Sequence, residues 1–226
     1  MIVRMGILSK IEGLSMKEFK QHWIKIHGEI GSQLPNLKGY YQNHVTNSEQ
    51  LGIEYKRGSN RVDGISQLWF DNEDEMKESF ESEIGQKLKN DEQYFIEEVN
   101  VVTAIQNTVI PVSDEPLIKR MSILKRHPNV DVKKFREEWK EKHARLIKQM
   151  PYVKGYVQNI IVEDKQSTER KDAIDGIVEL WFKNIEELEA AFGSPNGKEA
   201  MEHSGTFIEE ITTYLVKDHV IVSRDD

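Results

Sequence analysis

The sequence predicts an α+β protein built from two tandem ferredoxin-like (β-α-β-β-α-β) units that form an intramolecular α+β barrel. Three observations carry this. The stretch FKQHWIKIHGEIGSQLPNLKGYYQN from Phe19 returns without a gap as FREEWKEKHARLIKQMPYVKGYVQN from Phe135, about 116 residues later. DGISQLWF from Asp63 returns as DGIVELWF from Asp175, about 112 residues later. Within each copy, strand-like and helix-like segments follow one another in the order β-α-β-β-α-β.

In the first copy, residues 2–9 (IVRMGILS) are rich in Val, Ile and Leu and read as a strand. Ser15 with Glu18 makes a capping-box pattern, and Phe19, Trp23, Ile26, His27, Ile30 and Leu34 then share one face of a helix. Pro35 and Asn36 stop that helix, and Gly39 opens a second strand, 40–46. The polar stretch from Asn47 to Arg61 reads as a mobile loop. The Asp63-Gly64 turn precedes strand 65–70, residues 73–97 read as two helical pieces broken near Gly85, and 99–109 is a fourth strand. The second copy repeats the order with strands 117–125, 156–162, 177–182 and 213–222, a helix capped by Asp131, and helical residues 185–209. The predicted domains are therefore 1–109 and 117–226, joined by the Pro-containing linker 110–116. A four-stranded sheet with both helices on one face leaves the other face uncovered, and strand 65–70 carries bulk on both sides. Two such sheets facing each other would cover one another within one chain, with further homo-oligomerisation left open.

Net charge is −8, without the broad basic field that nucleic acid or anionic lipid requires. The absence of cysteine excludes disulfides, thiolate metal sites and a cysteine nucleophile. No stretch reads as a signal h-region or a membrane span, so the expectation is a cytoplasmic protein with no membrane or nucleic-acid partner.

The polar group on each apolar helical stripe is a histidine, His27 or His143. Imidazole titrates near neutral pH and suits general acid/base work; the same pattern suits a buried histidine tying helix to sheet. Tyr40 and Tyr156 open the second strands, where a phenol can orient a substrate carbonyl or cover the sheet. Gln42-Asn43 and Gln158-Asn159 place one amide on each side of that strand, available to substrate or to each other. The tryptophans Trp23, Trp139, Trp69 and Trp181 fit a core. His22 and His27 are five residues apart, a poor match to one helical face, and no metal site is expected.

The order F-x3-W-x3-H, P-x3-G-Y-x-Q-N, D-G-x3-L-W-F and a late F-I-E resembles the EthD family of dimeric α+β barrels, once per repeat and over nearly the whole chain. That family is similar in fold to methylmuconolactone methylisomerase, polyketide cyclases and small cofactor-free monooxygenases. The resemblance implies a cavity for a small organic metabolite, lined by the helix histidine and by strand aromatics such as Trp69 and Trp181. It also implies an acid late in the last helix and a glutamate before L-W-F. The first copy keeps the late acid, Asp91, but has Gln67; the second has His203 and keeps Glu179. The expected activity is that of a cofactor-free isomerase or cyclase with His27 or His143 as base. The alternatives are an oxidoreductase or monooxygenase-auxiliary protein and a non-catalytic binding barrel. A haem on His27, His143 or His203 is the one cofactor the barrel monooxygenases bring into view.

Overall fold

A computed structural model describes residues 1–59, 61–113, 115–164 and 173–224, with the side chains of 163 and 164 left out. Its strands are β1 (Ile2–Lys10), β2 (Gly39–Asn47), β3 (Gly64–Phe70), β4 (Ile96–Ile110), β5 (Ile118–Arg126), β6 (Gly155–Asp164), β7 (Gly176–Phe182) and β8 (Ile208–Val222). The helices are α1 (Met16–His22), α2 (Gly28–Gly31), α3 (Glu73–Glu81), α4 (Glu83–Glu92), α5 (Val132–Glu138), α6 (Ala144–Gln149), α7 (Ile185–Gly193) and α8 (Pro195–Ser204). A π-helical turn joins α1 to α2 at Trp23–His27, and another joins α5 to α6 at Trp139–His143. In hydrogen-bonded order the strands run β1-β3-β2-β8-β5-β7-β6-β4 and close as an antiparallel barrel. The fold is the predicted ferredoxin-like α+β barrel.

Two compact units divide the chain. In the first, β1 pairs with both β3 and β4, and β3 with β2. One core there packs Leu34, Tyr40, Leu68, Phe70, Met76 and Leu88, and another packs Leu8, Phe19, Trp23 and Phe95. The Ser15–Glu18 capping box starts α1 as the sequence requires. In the second unit β5 pairs with β7 and β8, and β7 with β6, around a core built on Phe135, Trp139, Tyr156, Phe182 and Phe207.

The D-G pair of each repeat has a packing explanation. Asp63 accepts from the Lys10 amide (3.0 Å) and Asp175 from the Arg126 amide (2.9 Å), each at the bulged end of its strand. A Cβ on Gly64 would lie 2.2 Å from the Trp23 ring, and one on Gly176 would lie 2.4 Å from Trp139. The glycine therefore makes room for the indole packed against it.

Three expectations need correction. The helices predicted to reach residues 97 and 209 stop at Glu92 and Ser204, because a turn follows that drops Phe95 and Phe207 into the cores and starts β4 and β8 early. The break between α3 and α4 falls at Ser82, which caps α4 through the Gly85 amide; a Cβ at Gly85 would meet the Phe80 carbonyl oxygen at 2.4 Å. The segment read as a mobile loop is packed. Residues 46–59 belong to the second unit, where Ile53 joins the core and Tyr55 Oη donates to the Ile208 carbonyl (2.7 Å). The compact units also cross the repeat boundary: residues 106–110 of β4 fall in the second unit and 217–222 of β8 in the first.

Candidate functional site

Each π-helical turn is braced by a glutamine side chain from the strand beside it. In the first unit the Gly28 amide reaches back five residues to the Trp23 carbonyl, which also accepts from Gln42 Nε2 (2.8 Å). Gln42 Nε2 donates as well to Tyr40 Oη (2.9 Å). Gln158 repeats both contacts, with the Trp139 carbonyl (2.8 Å) and Tyr156 Oη (2.8 Å). Burial pushes the Tyr40 phenol up to about 12 and raises Tyr156 as well, so both remain neutral donors.

The π-turn has a consequence that spacing on a regular helix hides. Residues five apart come onto one side, and His22 and His27 both reach Asp91 at the end of α4. His22 Nε2 lies 2.9 Å from Oδ1 and His27 Nδ1 lies 2.9 Å from Oδ2. Burial raises the Asp91 carboxyl, but hydrogen bonds from His27 and His22 outweigh it and hold the group below its ordinary value. An ionised carboxylate only accepts, so both imidazoles donate to it. His27 is thereby held with a proton on Nδ1, which leaves Nε2 as the ring nitrogen turned away from Asp91. Phe95 packs on both rings, stacked on His22 at 4.8 Å and edge-on to His27 at 5.0 Å.

The second unit exchanges these partners. Glu138 stands where His22 does and His203 where Asp91 does, and they meet as His203 Nε2 to Glu138 Oε2 (3.2 Å). His143 stacks against His203 at 5.7 Å, and its Nδ1 is buried with no partner. Burial, reinforced by His203, pushes the His143 imidazole down to about 3. A base that weak accepts a proton poorly near neutral pH.

Both histidines line a cavity between helices and sheet. The first, bounded by Arg4, Trp23, His27, Tyr40 and Glu92 among others, has a volume of ≈ 20 Å³. The second, bounded by Arg120, Ser122, His143, Tyr156 and Phe192 among others, has ≈ 30 Å³. Each has room for a water or two. A haem does not fit beside His27 or His143 in spaces of this size, and His27 Nδ1 and His203 Nε2 are already engaged. Among the described residues no cluster of His, Asp and Glu could hold a metal ion, and no helix is long and apolar enough to cross a membrane.

The other predicted residues fall on the opposite face of the sheets. Asn43 donates to the Ile65 carbonyl (3.0 Å) and Gln67 Oε1 (2.9 Å), and Trp69 packs on Tyr41 at 4.9 Å. In the second unit Glu179 pairs with Lys119 (2.5 Å) and accepts from Asn159 (2.8 Å), while Lys119 also sits 5.1 Å from the Trp181 ring centroid. The structure thus gathers His27, Tyr40 and Asp91 on the helix side and separates them from Asn43 and Trp69. His143 and Tyr156 are likewise separated from Asn159, Glu179 and Trp181. The sequence did not single out Arg4, Arg120 or Glu92, and it offered His22 only as a metal ligand, which the spacing of five residues argued against. For Arg4 the available signal was a single arginine in the apolar strand IVRMGILSK; Arg120 lies among the other cations of IKRMSILKR and had no such signal.

The comparisons with known proteins agree with this architecture. A family model described as the EthD domain matches residues 11–98 and again 127–211. No match is found among curated proteins. A solved structure of an anthrone oxidase-like protein aligns with TM-score 0.63 at 9% identity, covering 99% of this chain and 94% of that one. A protein of Lactobacillus acidophilus NCFM, provisionally named a monooxygenase, aligns with TM-score 0.58 at 10% identity, covering 97% and 94%. A chlorite dismutase variant from Candidatus Nitrospira defluvii aligns with TM-score 0.51 at 9% identity, covering 98% and 91%. At such identities the likeness is one of fold. The family match spans most of the chain in two segments that coincide with the two repeats, and the protein belongs to the EthD family, with two EthD domains in tandem.

Proposed function

We propose that the first repeat is a cofactor-free proton-transfer site for a small enolisable organic molecule, and that the second repeat does not carry this chemistry. The observation that carries the reading is the His27–Asp91 contact of 2.9 Å, which has no counterpart at His143. Asp91 orients the imidazole and stabilises its protonated form. His27 Nε2 then takes the proton beside a substrate carbonyl, and Tyr40, kept neutral by burial, donates to the oxygen on which charge develops. Return of the proton to another carbon gives an isomerisation; attack by the carbanion on a second carbonyl gives a cyclisation. Because the cavity beside His27 measures only ≈ 20 Å³, binding requires the lining side chains to part. The partner is a small carbonyl compound.

Oxidation is the second reading, supported by likeness in fold to the anthrone oxidase-like protein. The same proton abstraction would begin it, with dioxygen as the oxidant of the carbanion. One experiment separates the two. Acetylacetone and anthrone are incubated with the protein in D2O, with deuterium uptake followed by NMR and dioxygen by electrode. Faster uptake without dioxygen consumption supports proton transfer alone, and consumption supports oxidation. Uptake no faster than in buffer, with no dioxygen consumed, refutes both.

A further inference from the structure

The cavity of the second repeat holds a cluster that proton transfer in the first leaves unused. Arg120 lies on β5 with only 3% of its surface exposed, and its Nε and Nη2 atoms are buried without a partner. Its guanidinium stacks on Phe192, with Cζ 4.5 Å from the ring centroid. Stacking occupies the faces of the guanidinium and leaves its N–H edge for an in-plane acceptor. Two residues along the strand, on the same side, Ser122 Oγ is also buried without a partner, as is His143 Nδ1. All three side chains line one cavity of ≈ 30 Å³.

The first repeat shows how this arrangement is neutralised when the chain supplies its own acid. Arg4, the counterpart of Arg120, stacks on Phe80 at 4.1 Å, and Glu92 at the end of α4 interacts with it electrostatically. At the position of Glu92 the second repeat has Ser204, whose hydroxyl instead donates to the Ala200 carbonyl (3.1 Å). Among the described residues no carboxylate pairs with Arg120. A buried guanidinium without a counter-ion is strongly unfavourable, and burial pushes Arg120 down to about 9. Even so it carries its charge at neutral pH.

We infer that Arg120, Ser122 and His143 form a carboxylate-binding site, in which an external carboxylate takes the place that Glu92 fills in the first repeat. Its two oxygens would accept from the guanidinium edge in the bidentate manner, with the serine hydroxyl and an imidazole N–H as further donors. The size of the cavity admits a carboxylate group and little else, so the ligand is formate-sized or presents its acid end here while the rest lies outside.

The test is thermal unfolding of the full chain in sodium formate and in sodium benzoate, against sodium chloride at equal ionic strength. A ligand that binds only the native state raises the melting temperature by about 5–10 °C at a hundredfold excess over its Kd in a chain of this size. Carboxylate binding predicts such a rise with formate or benzoate and a smaller one with chloride. A larger rise with benzoate identifies the acid end of a larger molecule, and an equal rise identifies the carboxylate group alone. Ser204→Glu should melt above the wild type in carboxylate-free buffer and lose the response, and Arg120→Met should lose the response with its circular dichroism unchanged. A wild type indifferent to carboxylates, an equal rise with chloride, or variants that respond like the wild type would overturn it. Because the readout is stability and not turnover, failure here is distinct from failure of the proton-transfer site.

Discussion

His27 Nδ1 and Asp91 Oδ2 lie 2.9 Å apart in the first repeat, while His203, at the place of Asp91 in the second, leaves His143 Nδ1 unpaired. One exchange of residue type therefore makes two chemically different histidines from a duplicated motif.

Asp91 fixes the tautomer of His27. In Asp91→Asn the amide no longer demands an N–H donor, and 15N shifts of the His27 ring should move from one tautomer toward a mixture. The pH dependence has a definite sign. The folded carboxyl titrates below its unfolded value, so its contribution to stability is present above about pH 4 and is lost as pH falls through the folded value. The Asn variant should lack that acid step in urea denaturation measured from pH 5 downward.

His143 predicts a second linkage, also on the acid side. Its folded pKa of about 3 lies below the ordinary histidine value, so the unfolded chain binds the extra proton. The stabilisation is full above about pH 6.5 and falls as pH drops toward 3, with a slope of about 1.4 kcal/mol per pH unit. His143→Gln should remove one proton from the unfolding linkage over this range, which urea midpoints across a pH series will measure. His44, also pushed down to about 3 by burial, should behave alike and remains in place as an internal comparison.

The indole and glycine contacts predict a steric cost. Gly64→Ala and Gly176→Ala each drive a methyl against a buried tryptophan, at 2.2 and 2.4 Å before relaxation. Each should lower stability by about 1–3 kcal/mol, measured by chemical denaturation. Gly13→Ala is the contrast for packing, since nothing lies within 4 Å of its added methyl, although its φ of +87° imposes a backbone strain of its own.

Ile53 tests the packed segment between β2 and β3. It is buried in the second unit, in the core that includes Phe192 and Ile211, so Ile53→Ala should cost about 2–5 kcal/mol. A mobile segment would lose almost nothing, and chemical denaturation distinguishes the two.

Much of this was legible in the sequence, and the reasons the rest was not are physical. The duplication, the Ser15 cap and the buried Trp23, Trp69 and Trp139 follow from motif spacing and periodicity, whereas Trp181, also expected in the core, is only partly buried. The segment 47–61 looked like loop because it is polar, yet Ile53 and Tyr55 are enough to anchor it and Gln50 and Arg57 supply strand contacts. The His22–Asp91–His27 cluster was hidden because regular helical spacing separates residues five apart, and only the π-turn reunites them. Arg4 and Arg120 could not be singled out because a residue far along the chain, Glu92 or Ser204, decides whether an acid stands near them. Asn43, Asn159, Trp69, Trp181 and Glu179 were grouped with the histidines although strand alternation puts them on the far face.

The most direct measurement is the rate of deuterium uptake by acetylacetone in D2O, with His27→Gln and His143→Gln compared against wild type at neutral pH. With His27 as the base, His27→Gln falls to the buffer rate, a loss of about 10²-fold or more, while His143→Gln stays within a few-fold of wild type. Retained uptake in His27→Gln, with loss in His143→Gln, would contradict it.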